Sequence, residues 1–431
     1  MHRTPLIGAT LALALLIPGT PAVRAHHSTA DVVFEWNQIL QDTVPVPQNP
    51  LTPRLFAMTH IAMFDAINTL EREFEPYHVR LRHGSGGSSE AAAAQAAHDV
   101  LVAINPNARA TYDTALANRI GTDPSGYVHL GAAVGAQVAK EILAWRQNDG
   151  WVVSPFPPYA EPPGVPGRWQ RTPPATAAPT FTHLQNAAPL ALVSPTQFLP
   201  APPPTLQNPR YATDLNEVSL IGRSNSATRT PEQTAIARLW AGIGASGSGT
   251  ATNFLSVWNA IVRDVARERQ LSLVETARVF ALVNVSVHDG LQTSQTSKFV
   301  YGLWRPVTAI QQGDPFSGTT PDVTWTPLLT TPPYPSYAGN MATIGASAAR
   351  ALQLAFDSND VPVTATWKQS AGPDVSAGFA GFWQVAEQQA ESRIYGGIHY
   401  RFDNVAGQQI GRSAAEFVFA NYMTRRDRWD D

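Results

Sequence analysis

Sixteen of the chain's 36 prolines fall between residues 151 and 210. Proline fixes φ and lacks an amide hydrogen, so neither a helix nor an interior strand runs through such a segment. The chain is therefore divided into a part before it and a part after it. A solvated linker has no use for Trp151, Phe156, Tyr159, Trp169, Phe181 and Phe198, which stud this stretch. It is read as a long irregular strap packed over a helical body.

Both flanking parts carry helical patterns. In the N-terminal half, residues 26–150, "LFAMTHIAMFDAIN" (55–68) and "GYVHLGAAVGAQVAKEILAW" (126–145) repeat apolar residues at three- and four-residue spacing. The C-terminal half, residues 211–431, has its clearest helix start at Thr230-Pro231-Glu232-Gln233, a capping-box pattern with proline at the first helical position. Further helical runs are expected at 253–269, 272–288, 341–356, 376–395 and 404–423. Alternating strand patterns are sparse and no short repeat is evident, so the expected class is all-α.

Hydrophobic residues make up 44% of the 431 and charged ones 15%, enough to bury a sizeable core. A net charge of −3 offers nothing to nucleic acid or to an anionic membrane, so any anion site must be local. The absence of cysteine excludes disulfides, thiolate chemistry and cysteine-ligated zinc. Arg3, the apolar run Leu6–Ile17 and the small-residue site at Val23-Arg24-Ala25 read as an export signal spanning residues 1–25. Twelve apolar residues fall short of the roughly twenty that cross a bilayer. The mature protein is therefore expected in the periplasm or secreted, with His26 at its start in an unstructured tail.

Chemistry concentrates in three stretches. In "TSKFVYGLWRPVTAI", Lys298 and Arg305 are seven apart, which on one helix places them on nearly the same face. Lys298 is one of only three lysines in the chain, with Lys140 and Lys368. Two such cations among apolar residues call for an anion between them, or else form a solvated or salt-bridged face. In "ESRIYGGIHYRFDN", Gly396-Gly397 lets the chain leave a helix so that His399 swings back toward Arg393, with Asp403 placed to fix the His399 tautomer. In "TPPYPSYAGNMATIGASAARAL", a rigid run stops at Gly339-Asn340 and a helix begins near Met341. Its first amides favour an anion, and Asn340 can also serve as the N-cap. His288-Asp289 is a candidate acid–base pair or a core pair tying helices together, and His60 with Asp65 reads as core.

Together these stretches resemble the signature of the vanadium-dependent haloperoxidase and type-2 phosphatidic acid phosphatase superfamily, most closely its bacterial haloperoxidase-like branch. Lys298-x6-Arg305-Pro306 and Ser392-Arg393-x3-Gly397-x-His399-x3-Asp403 are complete and in order. The likeness extends to "THIAMFDAIN" and to "PTQFLPAPPPTLQNPRYATDLNEV" in the strap. It implies a helical domain built around two four-helix bundles. It also implies that Lys298, Arg305 and Arg393 hold the oxygens of vanadate or phosphate, with amide contacts from Gly339 and Asn340. His399 would bind vanadium or attack phosphorus. The small-molecule substrates would be peroxide and halide, or a phosphate ester.

The middle motif departs from the family pattern. Gly339, Asn340 and Met341 stand where the family has Ser, Gly and an acid–base His. A thioether has no proton to give, and losing a general acid costs ~10²–10⁴-fold in rate. His288 is the candidate substitute. Three readings follow: a haloperoxidase, a phosphohistidine phosphatase, and an oxyanion-binding relative with weakened catalysis.

Overall fold

One helix organises the rest. Helix α9, Leu273–Tyr301, has 29 residues, about 43 Å of length. It opens on a capping box in which the Ser272 hydroxyl accepts the Glu275 amide and the Glu275 carboxylate accepts the Ser272 amide. It is buried along almost its whole length, as a helix enclosed by other helices must be. Gly302 ends it with φ +60°, a conformation that suits glycine, and donates its amide to the Lys298 carbonyl. The 272–288 run expected from sequence is only the first part of this element. Its polar second part (Thr293, Ser294, Gln295, Ser297) hides the periodicity.

The computed structural model describes residues 30–44, 51–81, 86–121, 126–162, 164–173, 177–243, 253–316, 319–370 and 372–426. The expected export signal at 1–25 and His26 lie outside them. The remaining helices are α1 Asp31–Thr43, α2 Thr52–Glu71, α3 Ser89–Ile104, α4 Arg109–Ile120, α5 Gly126–Arg146, α6 Pro209–Ile221, α7 Pro231–Trp240, α8 Phe254–Glu268, α10 Pro306–Gln312, α11 Asn340–Phe356, α12 Phe382–Tyr395 and α13 Arg401–Asn421. Helices α2, α3 and α5 pack as one group, and α11, α12 and α13 as another. Helix α9 lies between, against α2 on one side and α11 and α13 on the other. A single apolar core runs through both groups, from Val32 to Met423. The fold is mostly helical, as expected. Thr230 caps α7 with the predicted reciprocal bonds to Gln233.

The expected helix at 376–395 is shorter than its pattern suggested. Residues Val375–Phe379 form a strand, β2, paired antiparallel with β1, Val363–Trp367, in the register Val363↔Phe379 to Trp367↔Val375. The β-branched "VTATW" supplies a partner strand that a single-segment reading does not see. Helix α12 starts only at Phe382.

The proline-rich segment packs on the helical body. Trp151 and Trp169 are buried in it. The Trp169 amide donates to the Gly302 carbonyl at 2.8 Å and the Trp304 amide to that of Gly167 at 3.1 Å, beside the end of α9. Buried Arg146 reaches the carbonyls of Ala188 and Pro189 while pairing with Asp149 at 3.0 Å.

Small residues let α11 and α13 cross closely. A Cβ on Gly407 would lie 2.4 Å from the Gly339 oxygen, and one on Gly411 2.5 Å from the Thr343 oxygen. Gly407→Ala is therefore expected to lower unfolding free energy by about 1–3 kcal/mol despite alanine's better helix propensity. Denaturant unfolding checks this; a neutral or stabilising result would mean that the crossing yields easily.

A candidate oxyanion site

The cations converge, though not along one helix. Lys298 lies in the last turn of α9, and the chain then turns at Gly302. Arg305 follows in extended conformation, φ −83° and ψ 155°, as a residue before proline prefers. The shared helical face expected for Lys298 and Arg305 is thus replaced by a turn, because Pro306 begins the new helix α10. Arg393 comes from the last turn of α12. The chain reverses after it at Gly396-Gly397, where Gly397 has φ +77° and the Ile398 amide donates back to the Arg393 carbonyl. That reversal delivers His399.

Backbone carbonyls hold these cations. Lys298 Nζ donates to Ser336 O at 2.8 Å and to Ala338 O. Arg305 Nε donates to Tyr334 O and Nη1 to Ile398 O, both at 2.8 Å. Arg393 Nε donates to Ser392 Oγ at 3.0 Å and Nη2 to Ala237 O at 3.3 Å. The Tyr334 ring lies 5.5 Å from Lys298 Nζ and 5.1 Å from Arg305 Cζ, within cation–π range of both.

His399 is fixed in one tautomer. Its Nδ1 lies 2.7 Å from Asp403 Oδ2, and its Nε2 lies 3.1 Å from Arg305 Nη1. A guanidinium only donates, so Nε2 carries the lone pair and Nδ1 the proton. Asp403 Oδ2 also accepts the Ser336 hydroxyl and the Tyr400 amide. Burial, then the cations Arg305, Lys298 and Arg393, holds His399 well below the usual histidine range. Burial likewise raises Asp403 above the usual carboxylate range, against the Ser336 hydrogen bond and the nearby cations.

The charge balance is decisive. Lys298 and Arg305 are 0% exposed and Arg393 is 7% exposed. Among the described residues none of the three has a carboxylate within ion-pair distance. Arg305 Nη2 is buried with no hydrogen-bond partner among them. The one nearby carboxylate, Asp403, sits behind the imidazole. Burial, then Arg305, holds Lys298 well below the usual lysine range, and an anion beside it would favour its charged form; two buried guanidiniums, this lysine and a free guanidinium N–H fit a tetrahedral oxyanion such as vanadate or phosphate.

Comparison with known proteins bears on the fold and on the segment that carries these residues. The family model described as the VCPO second helical-bundle domain matches residues 278–428, which hold all three stretches. The vanadium chloroperoxidase of Curvularia inaequalis is 26% identical over 241 residues, 43% of this chain and 38% of that protein. The chain thus spans under two fifths of that relative's length. The crystal structure of a bacterial vanadium-dependent iodoperoxidase superposes with a TM-score of 0.78 at 23% identity, covering 93% of this chain and 98% of that one. The holo form of a bacterial vanadium-dependent chloroperoxidase gives 0.65 at 16%, covering 91% and 95%. Residues 278–428 thus match a haloperoxidase helical-bundle domain, and the chain shares the fold of these vanadium-dependent haloperoxidases.

Against the superfamily pattern, the middle stretch departs in structure as well as in sequence. Gly339 is the N-cap of α11 and donates its amide to the Asp403 carbonyl at 2.9 Å, so that N–H is not available to an anion. Asn340 is the first helical residue and not the cap. Its side chain turns to α9, accepting from Ser294 Oγ and donating to Gln295 Oε1. The amides that open α11 have no intrahelical acceptor and are what remains for an anion there. Met341 is half-buried, with Sδ 3.8 Å from Gln389 Nε2.

His288 does not join the cations. It precedes Lys298 by ten residues on α9, about 15 Å along the axis. Its Nδ1 meets Asp289 Oδ1 at 2.6 Å and its ring lies 4.1 Å from that of Trp151, beneath the strap. Two residues the sequence did not flag stand at the site. Ser336 orients Asp403, and Tyr334 lies over two cations. Both belong to the "PYPS" run before the turn, but nothing in their spacing aims them at His399.

The tautomer is measurable. At about pH 6, where an ordinary histidine is largely charged, His399 should remain neutral with its proton on Nδ1. Imidazole ¹⁵N shifts check this; an imidazolium signal at that pH would contradict the Arg305–Nε2 contact.

Proposed function

We propose that the protein is an exported, vanadate-dependent haloperoxidase with weakened acid–base catalysis. Lys298, Arg305 and Arg393 would hold the oxygens of vanadate, and the His399 Nε2 lone pair would ligate its metal. The observation that carries the reading is the set of three buried cations lacking carboxylate partners, together with the unpaired Arg305 Nη2. The relatives' printed names, vanadium chloroperoxidase and vanadium-dependent iodoperoxidase, support it.

Each residue has a defined task. The guanidinium and ammonium groups neutralise oxyanion charge in a water-poor site, where preorganised donors are worth most. Asp403, held by Ser336, keeps the imidazole proton on Nδ1, so Nε2 stays a donor of electrons. Bound vanadate would supply the Lewis-acid centre that activates peroxide toward a halide. A phosphate ester would use the same contacts: Nε2 would bond to phosphorus as the P–O bond to the leaving alcohol breaks, with solvent protonating that alkoxide where Met341 cannot.

One observation favours a second reading. Met341 occupies the position of the family's acid–base histidine and offers no proton. A protein that binds oxyanion through the cations yet turns over slowly, or not at all, follows directly.

Three assays separate these possibilities: orthovanadate titration, halide oxidation by peroxide after reconstitution, and phosphate-ester hydrolysis. Arg393→Ala and His399→Ala should each abolish reconstituted turnover, and Arg393→Ala should also weaken orthovanadate binding. Met341→His should raise turnover by about tenfold or more, toward recovery of a general acid's contribution. Unchanged orthovanadate affinity in Arg393→Ala would sink the site assignment. A flat response to Met341→His would sink the weakened-acid argument.

A further inference from the structure

Helices α1–α2 and α8–α9 carry one pattern twice. "WNQILQD" (36–42) in α1 matches "WNAIVRD" (258–264) in α8, keeping Trp, Asn, Ile and Asp. "FAMTHIAMFDAIN" (56–68) in α2 matches "FALVNVSVHDGLQ" (280–292) in α9, keeping Phe, Ala and Asp with similar residues elsewhere.

Matched residues make matched bonds. Asn37 lies 2.9 Å from His60 Nε2, as Asn259 lies 3.1 Å from Asn284 Oδ1, and the two asparagines meet each other at 2.9 Å. Asp65 accepts the consecutive amides of Tyr77, His78 and Val79. Asp289 accepts those of Leu190, Ala191 and Leu192. Asn68 then bonds the backbone of Phe74, and Gln292 donates to the carbonyls of Leu184 and Ala187. Helix packing alone does not require a carboxylate on three successive amides at the same place in both copies.

The copies differ in what they clamp. Helix α2 stops at Glu71, and its Asp65 holds a turn whose Tyr77 lies against Trp145 and Tyr422. Helix α9 runs on to Tyr301 and bears Lys298. The strap stretch that Asp289 and Gln292 hold, 184–192, has contacts with the cation site on both sides. Before it, the Thr180 amide donates to the Pro333 carbonyl at 3.1 Å and the Phe181 ring meets Tyr334 at 6.4 Å. After it, the Pro200 carbonyl accepts the Tyr301 hydroxyl, and that of Ala201 accepts the Tyr337 hydroxyl at 2.6 Å. Tyr334 is the ring over Lys298 and Arg305, and Tyr337 lies between the two carbonyls that hold Lys298.

We infer that Asp289 is a positioning residue for the oxyanion site. With Gln292 it pins the middle of the strap, so that the strap's two ends hold Tyr334 and the Ser336–Ala338 turn against the cations. Asp65, its duplicate, pins a turn that reaches the strap indirectly, through Tyr77 against Tyr422 and the Tyr422 hydroxyl on the Ala191 carbonyl, and that holds none of the residues lying against the cations. The inference rests on the oxyanion reading proposed above. It also gives His288 a task, as the partner that keeps Asp289 charged and oriented beneath the strap.

The duplication supplies its own control. Orthovanadate is titrated calorimetrically into the purified protein, with thermal unfolding followed in parallel. Asp289→Asn should raise the orthovanadate Kd by about tenfold, the scale on which small misplacements act. Asp65→Asn should lower Tm comparably while leaving Kd within about twofold, because its turn is remote from the cations. Gln292→Leu removes the strap donors without removing a charge; it should raise Kd in the same direction, and it decides the matter if Asp289→Asn does not fold. Wild-type Kd in Asp289→Asn, or in Gln292→Leu where Asp289→Asn does not fold, overturns the inference, as does equal weakening by Asp65→Asn. If the wild type does not bind orthovanadate, or Lys298→Met leaves the affinity unchanged, the oxyanion reading fails and the inference with it.

Discussion

The structure depends on keeping three basic side chains, Lys298, Arg305 and Arg393, out of water. An unpaired buried cation is costly, and here the cost is offset first by carbonyl oxygens from Tyr334, Ser336, Ala338, Ile398 and Ala237. Those carbonyls come from several separate segments: four from irregular backbone around the site and one, that of Ala237, from the last turn of α7. This explains why the site sits where helices end: after α9, before α10, before α11 and after α12. Turns at Gly302 and Gly397, which need positive φ, lie in the same places. Carbonyl dipoles only partly balance full charges, so the site retains its attraction for an anion.

The imidazole is held by the same logic. Asp403 is placed by a hydroxyl, an amide and the start of α13, and it spends its charge on the Nδ1 proton rather than on a cation. Had it paired with Lys298 or Arg305, it would have offset one of the three cations directly. Arg305 instead faces the Nε2 lone pair at 3.1 Å. The polar second half of α9 completes this region, with Ser294 and Gln295 engaging Asn340 at the start of α11.

On the proposed function, Met341 would separate binding from catalysis. The cations, the imidazole and the helix start all survive its presence, because none of them passes through its side chain. What it withdraws is a proton at one position. A thioether facing the Gln389 amide is compatible with the packing and incompatible with general acid catalysis. The fold thus accommodates Met341, and it is the proposed chemistry that would feel the change.

The sequence by itself determined the helical class and the identity of the cations. Periodicity marked α2, α5, α11 and α13, the capping pattern marked α7, and two complete motifs named Lys298, Arg305, Arg393, His399 and Asp403. These are local signals, carried by spacing and residue type within one segment. Tertiary structure decided the rest. It broke the supposed common face of Lys298 and Arg305 at Pro306, made a hairpin of residues 363–379, and sent the Asn340 side chain to α9 and the Gly339 amide to Asp403. It removed His288 from the site by some three turns of helix and brought in Ser336 and Tyr334. Those outcomes turn on which distant segment supplies a partner for each buried polar group. A single stretch of sequence does not encode that choice; only the closed fold satisfies all the partners at once.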